Sequence, residues 1–135
     1  MEGKLDVEGG AVVENVSTLA VEGETTFGNG IRIDVFNESG GRAIRIFDRL
    51  SAQLAYLMIF YRHRPELIRR LEGLVDGYVE SRKSDRGTIG KGCRIRNCGT
   101  LLNVCVGPFA RIEGALRLEN GSVISREEAP VFIGA

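Results

Sequence analysis

Apolar residues return every six positions along two stretches of this chain. In the C-terminal stretch they stand at Ile89, Ile95 and Leu101, slip by one, and resume at Val106, Ile112, Leu118 and Ile124. In the N-terminal stretch they stand at Val7, Val13 and Leu19, then re-phase to Val21, Phe27 and Ile33. Four residues after these positions the side chain is often small: Ala11, Ser17, Thr25, Cys93, Gly99, Cys105, Ala110 and Ser122. An amphipathic helix needs spacings of three and four, so this pattern fits a helix poorly. It predicts a six-residue unit of one short strand and one tight corner, with the apolar residue inward and glycine at the corner. Equivalent strands of successive coils then pair, so that neighbours supply the stability one coil lacks. A sandwich of short strands is the competing reading. Two runs in phase, with small residues at a fixed offset, weigh against it.

The pattern changes in the middle of the chain. Ile31 to Phe36 and Arg42 to Phe47 alternate apolar and polar residues around Asn37-Glu38-Ser39-Gly40-Gly41, which predicts a β-hairpin with a five-residue loop. Asp48 then offers an N-cap to a helix running to about Arg62, with the stripe Leu50, Leu54, Leu57, Met58 and Tyr61. Tyr56, Ile59 and Phe60 widen that stripe until most of the helix is apolar, which predicts burial on more than one side. Pro65 suits the first turn of a second helix, where its missing N–H costs nothing. That helix should run to about Arg82 on a stripe of Leu67, Leu71, Leu74, Val75, Tyr78 and Val79, with Arg69, Arg70, Glu72, Asp76 and Glu80 on a solvated face. The expected organisation is a single mainly β domain. Its solenoid covers 5–36 and 87–135, and the inserted hairpins cover 37–86. The helices should lie on a solenoid wall or coil edge, with their surplus apolar surface covered by the solenoid, by each other or by another subunit.

Composition adds exclusions. The 135 residues carry 18 basic and 18 acidic side chains, a balance that gives no general reason to bind nucleic acid or an acidic membrane surface. The 18 glycines against 3 prolines fit tight turns better than a disordered linker. The start Met-Glu-Gly-Lys-Leu-Asp has no signal-peptide pattern, and Leu54 to Tyr61 is too short an apolar run to span a bilayer. With 3 cysteines, an odd number, these features point to the cytoplasm and reduced thiols.

Units such as Val106-Gly107-x-x-Ala110-x resemble the bacterial hexapeptide-repeat proteins. The resemblance implies a left-handed parallel β-helix with three faces per coil. The hand comes from the resemblance alone, since parallel crossovers otherwise favour the right hand. Asp48 to Gln53, Tyr61 to Leu67 and Ser84 to Gly90 resemble more closely an uncharacterised family of long hexapeptide-repeat proteins of Bacteroidetes-like bacteria, itself a domain of unknown function. Those relatives are several times longer, which makes the chain read as a fragment. Its repeat starts by Val7 with no capping element, and Ile133-Gly134-Ala135 reads as the opening of another hexad.

Candidate chemistry is sparse. His63 is the only histidine. The hexapeptide resemblance implies a histidine general base between trimer subunits, whereas a helix-end histidine ordinarily caps carbonyls. Arg62 and Arg64, with Arg69 and Arg70 nearby, are candidates for an anion site, against the reading of a solvated helix surface balanced by Glu66 and Glu72. Asp85 and Arg86, in the link returning to the repeat, are further ligand candidates, although a structural turn accounts for them. Cys93, Cys98 and Cys105 lack paired Cys-x-x-Cys spacing, and Cys93 and Cys105 fall at the small position of the repeat, so no metal site is expected. No phosphate-binding glycine motif occurs, and no cofactor is indicated.

These features lead to two expectations. The first is a structural, ligand-binding or oligomerising solenoid segment whose partner is the remainder of a longer chain or further copies of itself, a trimer included. The second is an acyl- or sugar-nucleotide-linked transferase with its site at a subunit interface, which rests on the resemblance.

Overall fold

The computed structural model describes residues 4–34 and 43–134. The chain divides into two compact units, one formed by Met1–Phe27 with Lys83–Ala135 and the other by Gly28–Arg82.

The first unit is a parallel sheet of seven strands: β1 (Lys4–Val7), β2 (Val12–Ala20), β5 (Arg86–Ile89), β6 (Arg94–Val106), β7 (Arg111–Glu113), β8 (Arg117–Val123) and β9 (Phe132–Ile133). From β5 through β8 its register has a constant step, whereas β7 meets β9 with Ile112 on Ile133. Ile89 pairs with Val106, Ile95 with Ile112, Leu101 with Leu118 and Val106 with Val123, the partner lying 17 residues on each time. Three hexads less one residue, lost at Val106 and again at Val123, give that step. A straight strand has two edges and pairs with two neighbours, yet β6 pairs with β2, β5, β7 and β8. It does so because it bends. Asn97 (φ 52°) and Asn103 (φ 54°) take the left-handed conformation within it, and Gly92 (φ 67°) and Phe109 (φ 60°) take it on either side.

These bends stack from layer to layer. Gly10, Gly92 and Phe109 form one column of left-handed residues, and Asn15, Asn97 and Gly114 form a second. Asn103 and Asn120 form a third. Asparagine tolerates this region better than other side chains with a Cβ. Here it also bonds along the stack: Asn15 Nδ2 donates to Asn97 Oδ1 (2.8 Å), and Asn103 Nδ2 to Asn120 Oδ1 (3.1 Å).

Inside the bends lies the core. Ile89, Ile95, Leu101, Val106 and Ile112 are all buried, joined by Cys93, Cys98, Val104 and Ala110. Ala11, Cys93 and Ala110 share one column, where side chains larger than these would not fit the corner. Three sequence expectations need correction. Ile124 is half exposed, because Val123 is the residue that pairs with Val106 and packs on the core. Cys105 is only partly buried, because Val104 turns inward in its place. Val7 and Val13 are exposed despite their regular spacing, since β1 and β2 are paired on one edge only among the described residues.

The second unit contains β3 (Arg32–Ile33), β4 (Ile44–Arg45), α1 (Ala52–Phe60) and α2 (Pro65–Arg82). Strands β3 and β4 pair antiparallel, Arg32 with Arg45 and Ile33 with Ile44, so Ile33 belongs to a hairpin here. The expected hairpin loop Asn37–Gly41 lies outside the described residues. The N-cap of α1 is Ser51, whose Oγ accepts from Leu54 N (3.2 Å), in place of the expected Asp48. The expectation of burial on several sides of α1 also fails, since Met58 is its single buried residue while Tyr56, Leu57 and Phe60 are exposed. Asp76 and Glu80 are solvent-facing as expected, and Glu72 is partly buried. Glu72 pairs with Arg32 (2.9 Å) and Asp76 with Arg45, tying the β3–β4 hairpin to the helix. Val75 and Val79 form its buried side, whereas Leu74, expected on the apolar stripe, is exposed.

Candidate functional site

The turn between α1 and α2 gathers three of the sequence candidates. Tyr61 caps α1, its N–H donating to Leu57 O, and Arg64 N returns to Tyr61 O at 2.8 Å. Pro65 then opens α2 without a donor to lose, and Ile68 N bonds Arg64 O (3.2 Å) to start the helical ladder. This tight link holds His63 at the surface. Its Nδ1 lies 3.0 Å from Phe60 O, a carbonyl of the last helical turn, and its ring stacks on Tyr61 with centroids 5.9 Å apart. With Nδ1–H donating to that carbonyl, the neutral ring carries its lone pair on Nε2.

His63 borders an open depression with Gln53, Tyr56, Leu57, Phe60 and Tyr61. Tyr56 and Phe60, one helical turn apart, stack nearly parallel with centroids 5.4 Å apart. Both are more than 60% exposed, at 62% and 64%. Arg64 borders a different depression with Pro65, Glu66, Leu67 and Arg70. Arg62 borders a third, with Arg32, Met58 and Glu72. The three neighbours in sequence therefore face three separate hollows of the second unit.

Asp85 and Arg86 belong to the first unit, where the Arg86 side chain and the Asp85 backbone carbonyl are engaged. Arg86 Nη1 bonds both oxygens of Asp6 at 3.2 Å, and the Asp85 carbonyl accepts from Lys4 N (3.2 Å). Ser84 beside them exchanges two backbone bonds with Thr25 (2.9 and 3.0 Å). The segment thus closes the first unit where the chain returns from the second.

The most enclosed polar cluster was not legible in the sequence. Asp48, with a side chain only 5% exposed, accepts from Tyr78 Oη and lies 3.4 Å from Arg82 Nε. Its backbone N–H donates to Asn29 Oδ1 (2.7 Å), and Asn29 is itself buried. Phe47 packs on the Tyr78 ring at 5.6 Å, and Arg49 lies over it at 5.9 Å. Burial pushes the Tyr78 phenol above its ordinary value, helped by the bond to Asp48 and by its charge. Asp48 lies three residues before the Ser51 cap of α1, so its position imitates a cap. The cluster ties the segment before α1 to the end of α2, with Arg82 Nε in ion-pair contact with Asp48 and making no hydrogen bond.

Among the described residues no group of three or more His, Cys, Asp or Glu could hold a metal ion. No helix among them is long and apolar enough to cross a membrane.

Comparison with known proteins gives two matches. The sequence model of a family described as "Domain of unknown function (DUF4954)" matches residues 3–135. An uncharacterised protein of Treponema pallidum (strain Nichols) is 31% identical over 134 residues, covering 91% of this chain and 18% of the relative. The chain therefore spans less than a fifth of that relative's length. No solved structure matches.

Proposed function

Since the chain belongs to the family of domains of unknown function DUF4954, we propose that it is a structural module, a segment of a left-handed hexapeptide-repeat β-solenoid whose ends stack on further repeats. The observation that carries this reading is the 17-residue register, with left-handed residues at 92, 97, 103 and 109 marking three bends per step. The edge of β2 that is unpaired among the described residues supports it too. β2 runs nine residues with no proline, and its one charged residue, Glu14, is engaged by Arg96 at 2.9 Å. Natural sheet edges that stay unpaired are usually guarded by charge, proline or a bulge. Val7 and Val13 stand exposed on this side, and Leu116, Ile124 and Phe132 are exposed in the C-terminal strands and loops. In a longer protein the covering repeats come from the same polypeptide. In the isolated chain they come from a second copy. Sedimentation equilibrium tests this: the apparent mass should rise with concentration and return to that of a monomer in Val13→Lys. A wild-type chain that stays monomeric at every concentration would overturn the stacking.

A transferase is the second reading, favoured by one observation. The bond from His63 to Phe60 O leaves Nε2 as the basic nitrogen, the form a general base requires. Arg62 or Arg64, each at its own hollow of the second unit, would bind an acidic substrate group. His63→Ala should then abolish acyl or sugar transfer, and unchanged turnover would remove His63 from the mechanism.

A further inference from the structure

The balanced total charge conceals a local imbalance in the second unit. Arg32 is neutralised by Glu72, Arg45 by Asp76 and Arg82 by Asp48. At the tip of the helical hairpin the arrangement differs. Arg64, Arg69 and Arg70 form no ion pair among the described residues, and Arg69 Nε reaches only the Pro65 carbonyl (3.4 Å). Glu66 is the single acidic residue among 61–71. α1, which precedes these arginines in the chain, carries no charged residue and exposes Tyr56, Leu57, Phe60 and, at its cap, Tyr61.

Exposed tyrosine and phenylalanine on an uncharged helix, followed in the chain by cations without an ion pair, match the interfacial zone of an anionic bilayer. Amphipathic rings settle at the headgroup level, and arginines meet lipid phosphates and carboxylates. A protein partner would more often be met by a rim of mixed charge. We propose that the tip of the helical hairpin is a peripheral membrane-docking surface for anionic lipid, with Tyr56 and Phe60 as the inserted residues and Arg64 and Arg70 as the headgroup contacts. Nothing in this reading requires a spanning helix. It also accounts for an apolar helix that buries only Met58 within its own chain.

Vesicle flotation tests the proposal. The chain, in the Val13→Lys background that prevents end stacking, is mixed with vesicles of phosphatidylcholine alone or of phosphatidylcholine with phosphatidylserine. It should float with the mixed vesicles only, and the bound fraction should fall as salt is raised. Tyr56→Ser with Phe60→Ser, and separately Arg64→Glu with Arg70→Glu, should each weaken binding about tenfold or more while leaving the circular dichroism spectrum unchanged, since these side chains are exposed. Absence from the phosphatidylserine fraction overturns the proposal, as does flotation that neither double variant alters. So does a vesicle-free self-association that the Tyr56→Ser, Phe60→Ser pair abolishes, which would assign the face to a second copy.

Discussion

The side chain of Asn15 donates to that of Asn97 across 2.8 Å, and both residues hold the same left-handed φ of 52°. The two are 82 positions apart in sequence, so the bond joins one layer of the stack to the next at a bend. Conformation and hydrogen bonding favour asparagine here for the same reason. The backbone must turn left, and the carboxamide spans the layer spacing with both a donor and an acceptor. Asn97→Ala should cost about 1–2 kcal/mol, from the lost bond and a Cβ in the left-handed region without compensation. Asn97→Gly should cost less, because glycine accepts the φ and loses only the bond. Urea denaturation should therefore rank wild type above Asn97→Gly and Asn97→Ala last.

Two glycines should respond oppositely to the same substitution. A Cβ on Gly99 would stand 2.3 Å from the Leu116 carbonyl oxygen, a backbone atom of the neighbouring layer that cannot rotate away. Gly99→Ala should destabilise by about 1–3 kcal/mol. Gly73, inside α2, has nothing within 4 Å of its added Cβ, and Gly73→Ala should stabilise by up to about 1 kcal/mol. Thermal melts of the two variants should move in opposite directions.

Alkaline pH should weaken the second unit through Tyr78. Its phenol holds its proton more tightly folded than unfolded, through burial first and the Asp48 bond and charge next. A raised folded value means the contribution is fully present below the unfolded phenol's pKa of about 10 and is lost as pH rises through the folded value. Denaturation midpoints measured across this range should fall, and the fall should be shallower in Tyr78→Phe. An equal slope in both proteins would detach the effect from Tyr78.

Thiol labelling should separate the cysteines. Cys93 and Cys98 are buried, and burial pushes the Cys93 thiol up, partly offset by backbone hydrogen bonds. Its Sγ lies 3.0 Å from the Gly107 carbonyl, to which it donates. Cys105 is partly exposed. A thiol-reactive probe on the native protein should modify Cys105 in a fast phase, with Cys93 and Cys98 following only on denaturation. Peptide mapping after a short pulse would identify the modified residue.

The buried aliphatic positions were readable in advance because they obey a period. Ile89, Ile95, Leu101, Val106 and Ile112 stand six apart but for one slip, and that slip reappears as the 17-residue pairing. Where the strand bends, periodicity stops deciding which of two neighbours faces inward. Val104 was thus hidden behind Cys105, and Val123 behind Ile124. The asparagine columns escaped notice because hydropathy is blind to a residue chosen for φ. Asp48 escaped for a different reason, its partners Tyr78 and Arg82 lying on the far helix, where no local pattern links them to it. His63 was visible as the sole histidine, but its carbonyl partner follows from the turn, which only the folded backbone defines.

The order in which layers form follows from their separations along the chain. β5, β6, β7 and β8 find their partners by closing loops of 17 residues, whereas β1 and β2 must reach partners 82 positions away. Chain closure over the longer span costs about 1.4 kcal/mol more in entropy, at roughly 0.6 kcal/mol per doubling. The C-terminal layers should therefore form first, with the N-terminal strands closing onto them and the Thr25–Ser84 bonds forming late. Amide hydrogens of β6 should become protected early in refolding, while those of β2 wait for the intervening 55 residues of the second unit to be drawn in.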